Sequence, residues 1–503
     1  MNELTLVIII VMIFIIIIYL ITHTNDTIST FANMGGYDRL FSGIKDGNEY
    51  LEHIKNYGIK YYNITHDLYD KTDILLDKLD IDVKDYYKFN PGIVILDTTP
   101  KRYLITFRIF IGNANNGRYD IFSDSHYWKN FWKSENYHKL WKKDLTTNLL
   151  GIALLDENFK VINSRILYNL LAGEIGVEDV RLFKLHNSVY FLGHITHGEG
   201  DPQTWGDIRY MRVCICKLAS QDDILMNFNK FVPERVIQLN NNMHEIQIEK
   251  NWCGFVLNDE LYITRMSYPN FFPIKIYKCI LDKVYLNTNR DGLSRSILRS
   301  PIRRRFYNHV YSHVNGKLIC EIKQPDMLNN FPDRLNKLYH IYTGMNMFRF
   351  SGGTMGLQIG HNTFIFMGHL IVKVNENCVN ALKQNMPLEM KINMKHFLRY
   401  HDVQLRTKLG LMRYYMFFYI LDVGTCKITH ISNAMCIFEN ANEITQVNFP
   451  VGLERNGQDI IISLGESDAK VVIVTMNYLD VMSRMKRIPD INYEKYSFDT
   501  YIP

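Results

Sequence analysis

Five times along this 503-residue chain, a strand-like run, a short turn and a second strand-like run follow one another. They are Arg181–Leu185 / His186-Asn187 / Ser188–Leu192, Cys253–Leu257 / Asn258-Asp259 / Glu260–Thr264, and His309–Val314 / Asn315-Gly316 / Lys317–Cys320. Leu357–Ile359 / Gly360-His361 / Asn362–Phe366 and Val447–Leu453 / Asn456-Gly457 / Asp459–Ser463 complete the series. Turn residues with easy access to positive φ, set between two such runs, are the strongest short-range hairpin signal. Few long helical patterns intervene. Serial antiparallel sheets in one long chain point to an all-β, five-bladed β-propeller, because radial packing buries both faces of each small sheet. A pair of β-sandwiches is the alternative. The aromatic content of 13% suits a β-rich interior. Segment 283–350, with Arg290, Arg295, Arg299 and Arg303 to Arg305, reads as an insertion between sheets.

The N-terminus has a different texture. Leu4 to Ile21 carries no charge and, as a helix, spans about 27 Å, close to the ~30 Å hydrocarbon core. A cleaved signal peptide would have a basic leading region and a small-residue cleavage site, and neither is present. Residues 1–22 are therefore expected to be a single-pass transmembrane anchor, followed by a stalk with a few helices over 23–88. The propeller is expected over 89–480 and a tail over 481–503. Sequons at Asn25 and Asn63 would suit a lumenal body. The Asn-, Ile-, Lys- and Tyr-rich usage is that of an AT-rich genome.

Eight cysteines form no Cys-x-x-Cys pair, and the single His-x-x-x-His, at His309 and His313, has only Cys320 nearby. No metal site is expected. The cysteines read mainly as buried thiols, with a few disulfides if the domain is lumenal. A net charge of +5 without a long basic run argues against a nucleic-acid partner. Nothing in the sequence specifies an oligomeric state.

Five places put polar residues beside tight turns at strand ends. These are Phe89-Asn90-Pro91-Gly92 followed by Phe107-Arg108, then Glu178-Asp179-Val180-Arg181, then Lys250-Asn251-Trp252. Gly352-Gly353-Thr354 with Gly368-His369 and the late Gly465-Glu466-Ser467-Asp468 follow. Any one alone is a turn carboxylate with an ion-pair partner. In this order the series resembles glycoside hydrolase family 130, the five-bladed β-mannoside phosphorylases and related β-mannosyltransferases. The family has an early Asn-Pro, a strand ending in Tyr-Arg, Glu-Asp-Pro-Arg, Lys-Asn, a Gly-rich turn with a downstream His, and a late Gly-x-x-Asp.

The resemblance implies a role for each matching residue. Asp179 matches the general acid that protonates the departing glycosidic oxygen, in the phosphorylases by way of a sugar hydroxyl. Arg108, Arg181, Lys250, Asn251 and His369 match the phosphate-binding set. Asn90, Glu178 and Asp468 then bind sugar or serve structure, and Trp252 stacks on a pyranose ring. An anionic nucleophile needs no second carboxylate to activate it, and a phosphate dianion needs several fixed cationic donors. The expected partners are a glycan or oligosaccharide substrate and the membrane. The expected co-substrate is inorganic phosphate or a sugar phosphate, with no other cofactor. Val180 replaces the usual Pro, Phe107 the usual Tyr, and Met355 the Pro after the glycine turn, changes that bear on substrate identity. The alternative is a non-catalytic propeller that binds glycans or serves a structural role.

Overall fold

The structure, a computed structural model, describes residues 58–72, 86–111, 148–167, 177–198, 208–234, 236–239, 251–266, 273–286, 312–322, 348–374, 411–437, 447–466, 469–488 and 498–501. The strand β1 (Lys60–Asn63) comes first and is set aside for the moment. Blade one is β2 (Tyr86–Leu96), β3 (Arg102–Ile111), β4 (Asn148–Leu155) and β5 (Val161–Ile166). Blade two is β6 (Val177–Leu185), β7 (Ser188–Gly198), β8 (Ile208–Ser220) and β9 (Ile237–Leu239). Blade three is β10 (Cys253–Leu257), β11 (Glu260–Met266), β12 (Pro273–Leu286) and β13 (Ser312–Glu321). In blade four both side strands are split. On one side of β16 (Thr363–Val374) lie β14 (Phe348–Ser351) and β15 (Leu357–Gly360). Beyond it, β17 (Leu411–Asp422) carries β18 (Lys427–Ile431) and β19 (Ala434–Ile437). Blade five is β20 (Asn448–Asn456), β21 (Asp459–Glu466) and β22 (Lys470–Asn477). Its fourth strand is β1, antiparallel to β22.

Contacts between neighbouring blades close the ring. β2 packs against both β20 and β6, β6 against β10, and β16 against β20. Blades three and four meet where Gly356 N–H donates to the Gly254 carbonyl at 2.7 Å, beside the contacting rings of Phe255 and Phe366. The molecule is thus a five-bladed all-β propeller, and the pair of sandwiches is excluded. Blades two and three also share an outer seam, where β9 and β13 pair in parallel.

The hydrophobic core lies between blades, and this explains the apolar runs. Ile93 and Ile95 of β2 pack toward blade five with Ile461, Val471 and Ile473. The intervening Val94 and Leu96 pack toward blade two with Val180, Leu182 and Phe191. A strand buried on both faces reads as a continuous hydrophobic run, which is the texture of Gly92–Leu96 and Val471–Val474. Helix α1 (Thr65–Thr72) follows β1 and offers the Leu68 carbonyl to the buried Lys88 Nζ at 2.9 Å. Helices α2 (Gln221–Met226) and α3 (Tyr478–Ser483) are capped by Ser220 and Asn477, whose side chains accept from the backbone N–H of Asp223 and Leu479.

Four of the five expected hairpins are present, as β6–β7, β10–β11, β15–β16 and β20–β21. The fifth is corrected. Asn315 and Gly316 lie inside β13, opposite Ile280 and Cys279, where the β12 register slips between Ile280 and Val284. The Asn-Gly pair thus sits beside a ladder irregularity and makes no chain reversal. The domain boundaries shift as well. The region read as stalk supplies β1, and the segment read as an insertion supplies the end of β12, β13 and the start of β14. The tail supplies β23 (Lys486–Arg487) and β24 (Phe498–Tyr501), which extend blade four.

The expected anchor and Asn25 lie outside the described residues. Among the described residues no helix is long and apolar enough to cross a membrane. Asn63 is exposed at the end of β1, but the Thr65 hydroxyl of its sequon is buried and accepts from Val471 N–H at 2.7 Å. Cys214, Cys216, Cys253 and Cys279 are buried thiols, and burial pushes the Cys279 thiol up to about 12. Cys320 and Cys426 form a disulfide between β13 and the β17–β18 turn, joining blades three and four.

Candidate active site

Neighbouring residues of a strand normally face opposite sides of the sheet, yet Glu178 and Asp179 reach the same groups. The cause is a bulge. Glu178 pairs with His194 and Arg181 with Leu192, so Asp179 and Val180 together oppose the single residue Gly193. At the bulge Asp179 takes φ 48°, in the left-handed region that Asp and Asn tolerate best. A Cβ on Gly193 would come within 2.9 Å of Val177 and 3.2 Å of the Glu178 carbonyl, so a larger residue there would press on the bulge. The same device recurs in the neighbouring blades. Asn90 (φ 50°) sits in a register shift of β2 between Phe89 and Gly92, and Asn251 (φ 62°) immediately precedes Trp252 and β10.

These kinks gather a buried cluster at the start of blades one to three. Arg108, reaching in from β3, places its guanidinium 3.2 Å from Glu178 Oε1 and 3.6 Å from Asp179 Oδ1. The rings of Phe89 and Phe110 flank that cation at 5.1 and 5.9 Å. Asn90 Nδ2 donates to Asp179 Oδ1 at 2.7 Å. On the other side His194 Nε2 stands 3.2 Å from Glu178 Oε2 and 3.7 Å from Asp179 Oδ2. Burial pushes the Glu178 carboxyl up, but the Arg108 charge and the His194 hydrogen bond outweigh it and hold the group at about 2.

Arg181 ties three blades together. Its Nε donates to the Gly353 carbonyl, one terminal nitrogen to the Asp179 carbonyl at 2.7 Å, and the other to Asn251 Oδ1 at 3.4 Å. Asn251 Nδ2 in turn donates to Ser351 Oγ at 3.3 Å. Ser351 is the register partner of His369, which is fully buried, stacks on Tyr414 at 5.6 Å and meets the tilted ring of Phe449 at 4.7 Å. Thr354 fixes the glycine turn, its hydroxyl accepting from Met367 N–H at 3.0 Å.

Of the residues expected from sequence, Asn90, Arg108, Glu178, Asp179, Arg181 and Asn251 thus form one connected group. His369 belongs to its blade-four side, reached through Ser351. Trp252 is 1% exposed, so its ring is packed in the interior rather than offered to a sugar. Lys250 and Asp468 lie outside the described residues. Glu466, from the same late motif as Asp468, is buried and accepts from Tyr61 of β1 and from Lys470. His194 was not anticipated.

Glu178, Asp179 and His194 bring three potential metal-ligand atoms within 4.8 Å of one another. A cation does not fit there. Arg108 and Asn90 already engage oxygens of these carboxylates, and a divalent ion would have to displace a fixed guanidinium.

No family model and no curated protein matches the chain. Among solved structures it is similar to β-1,2-mannobiose phosphorylase from Listeria innocua at 10% identity, with a TM-score of 0.40 over 85% of this chain and 99% of that one. It is similar to a mannose phosphorylase from Leishmania mexicana, solved with phosphate ion, at 11% identity and a TM-score of 0.38 over 82% and 90% of the two chains. A GDP-Man-dependent mannosyltransferase from Leishmania mexicana is similar at 10% identity and a TM-score of 0.37, over 79% and 87%.

Proposed function

We propose that this chain is a carbohydrate-active enzyme that transfers a β-mannosyl group between a sugar and phosphate or a sugar phosphate, with Asp179 as its general acid. One observation carries the reading: two adjacent carboxyls share a buried bulge but have unequal surroundings. Glu178 is held ionised by Arg108 and His194. Asp179 has Oδ1 bound by Asn90 at 2.7 Å with Arg108 farther off at 3.6 Å, while Oδ2 has His194 Nε2 at 3.7 Å. Unequal environments for paired carboxyls separate a charge-bearing role from a proton-bearing one.

In the phosphorolytic direction a phosphate oxygen forms the new bond to the anomeric carbon as the glycosidic carbon–oxygen bond breaks. The departing oxygen receives its proton from Asp179, relayed through a sugar hydroxyl. The products are a mannosyl phosphate and the shortened sugar. Lys250, Asn251 and His369 are assigned to the phosphate, with Arg108 and Arg181 setting the positive field around it.

The test is phosphate consumption with β-1,2-mannobiose and phosphate release from mannose 1-phosphate. Asp179→Asn keeps shape but removes the transferable proton, so turnover should fall by roughly 10²–10⁴-fold while sugar binding survives. Lys250→Ala should weaken phosphate binding more than sugar binding. Unchanged turnover in Asp179→Asn would sink the assignment.

The hydrogen bonds of Arg181 to protein acceptors favour a second reading, a non-catalytic glycan-binding propeller. A wild type inert toward every sugar offered, yet glycan-binding, would establish it. We also assign residues 1–22 to a single membrane anchor. The Cys320–Cys426 disulfide supports an oxidising compartment for the body. Removing residues 1–22 should release the protein from its need for detergent, and full-length protein that stays soluble without detergent would contradict the anchor.

A further inference from the structure

Asn90 and Gly465 come from distant parts of the chain and meet at the seam between blades one and five. Asn90 sits in the β2 register shift between Phe89 and Gly92, at φ 50° and 5% exposed. Gly465 lies on β21, one residue before the buried Glu466. A Cβ on Gly465 would land on Asn90 Oδ1 and lie 2.8 Å from Asn90 N, so β21 packs directly on the Asn90 amide. Two residues earlier, Ser463 Oγ donates to the Pro91 carbonyl and fastens the same kink to the same strand. Blade five therefore sets where the Asn90 side chain stands.

The two ends of that amide are used unequally. Nδ2 donates to Asp179 Oδ1 at 2.7 Å, while Oδ1, pressed against Gly465, finds no hydrogen-bond donor among the described residues. A buried amide oxygen left so costs on the order of 1–3 kcal/mol, and the contact with Asp179 is what offsets it. The reversed amide is worse. It would set an oxygen against Asp179 Oδ1, which is tolerable only if that oxygen carries a proton, and the Arg108 guanidinium 3.6 Å away opposes a proton there. Asp179 Oδ1 is thus an acceptor. In a neutral carboxyl the accepting oxygen is the carbonyl one, which directs the O–H to Oδ2. The other groups around this carboxyl are Glu178 beside it on β6, His194 of β7 at 3.7 Å from Oδ2, and Arg181, whose guanidinium donates to the Asp179 main-chain carbonyl.

We propose that Asn90 is a positioning residue, set in place by Gly465 and Ser463 of blade five, that holds the Asp179 carboxyl by Oδ1 and presents Oδ2 as the proton donor. This rests on the general-acid assignment of Asp179. It gives the contact between β2 and β21 a role in the reaction: the last blade orients the acid carried by the second. A rotated carboxyl would still be an acid, but a misplacement of about 1 Å can cost 10²-fold in rate.

The experiment compares the full-length variants Asn90→Gly, Asn90→Asp and Gly465→Ala with the wild type. Glycine accepts φ 50°, so Asn90→Gly removes the amide without straining the kink. Its kcat for phosphorolysis of β-1,2-mannobiose should fall about 10- to 100-fold, with KM changed by less than about threefold. With 2,4-dinitrophenyl β-mannoside, whose phenolate departs without a proton, kcat should fall by less than about threefold. Gly465→Ala adds only a methyl group, which displaces the amide, and should reproduce both results. Asn90→Asp keeps the side-chain shape and exchanges a donor for an acceptor, so it should lose kcat in the same way even if Asn90→Gly does not fold. A raised KM with unchanged kcat would make Asn90 a direct sugar contact and overturn this inference. Equal losses on both substrates would make its role structural and overturn it as well. Turnover lost in Asp179→Asn but kept in Asn90→Gly and Asn90→Asp overturns this inference alone. Turnover unchanged in Asp179→Asn overturns the acid assignment and this inference with it.

Discussion

Glu178 is worth more to this fold than an exposed carboxylate would be, because its charge is buried against a fixed guanidinium. Its folded value lies near 2 against an ordinary 4.5. A depressed value means stabilisation that is fully present above about 4.5 and lost as pH falls from there through about 2. The stability of the wild type, read from urea midpoints, should therefore drop more steeply over that window than that of Glu178→Gln. Parallel curves would contradict the pairing. Arg108→Gln is the harsher change, since it leaves two carboxylates buried beside each other without their cation. A loss of roughly 3–5 kcal/mol is expected at pH 7 from chemical unfolding. Part of it should be recovered in the Arg108→Gln/Glu178→Gln double variant.

At the scale of elements, legibility followed the turns. His186-Asn187, Asn258-Asp259 and Asn456-Gly457 were readable because each turn contains a residue at positive φ, at His186, at Asn258 and Asp259, and at Gly457. Asn315-Gly316 shows the limit of that signal, because the same pair serves a strand beside a register slip. His194 was illegible for a related reason. Counting back from the His186-Asn187 turn pairs Glu178 with Ile195, and only the one-residue bulge brings His194 opposite it. The motifs thus revealed which residues gather, while the bulge that aims them left no mark in the sequence. Trp252 was misjudged because a strand leading into the ring is buried on both faces. Blade approach adds a constraint of its own. A Cβ on Gly92 would land on the Val180 carbonyl and lie 2.8 Å from Thr106 Oγ1, so only glycine lets β2 and β6 come this close. Gly92→Ala should cost on the order of 1–3 kcal/mol and lower the melting temperature, even though alanine favours strands more than glycine. A neutral result would mean that the seam can open without loss.

For the whole molecule, the decisive element is the shortest one in blade five. β1 pairs with β22 over Lys60–Asn63, and Thr65 Oγ1 accepts from Val471 N–H across 406 residues of sequence. Deleting residues 1–22 should leave thermal unfolding unchanged. Deleting residues 1–64 should expose the edge of β22, lower the melting temperature and promote aggregation, as unprotected edges do. Equal melting of the two truncated proteins would show that closure is dispensable. The disulfide is a second fastening, and Cys320→Ser/Cys426→Ser should lose about 2–4 kcal/mol under non-reducing conditions. The closing strand also sets a clock. The first part of the propeller to leave the ribosome has its partner some 400 residues later, and at about 5–20 residues per second that wait is roughly 20–80 s. During that interval blades one to four can assemble, but β1 has nothing to pair with. The nascent ring is therefore an open arc with an unsatisfied strand at its leading end, and the rate of translation over those 400 or so residues sets how long that strand waits.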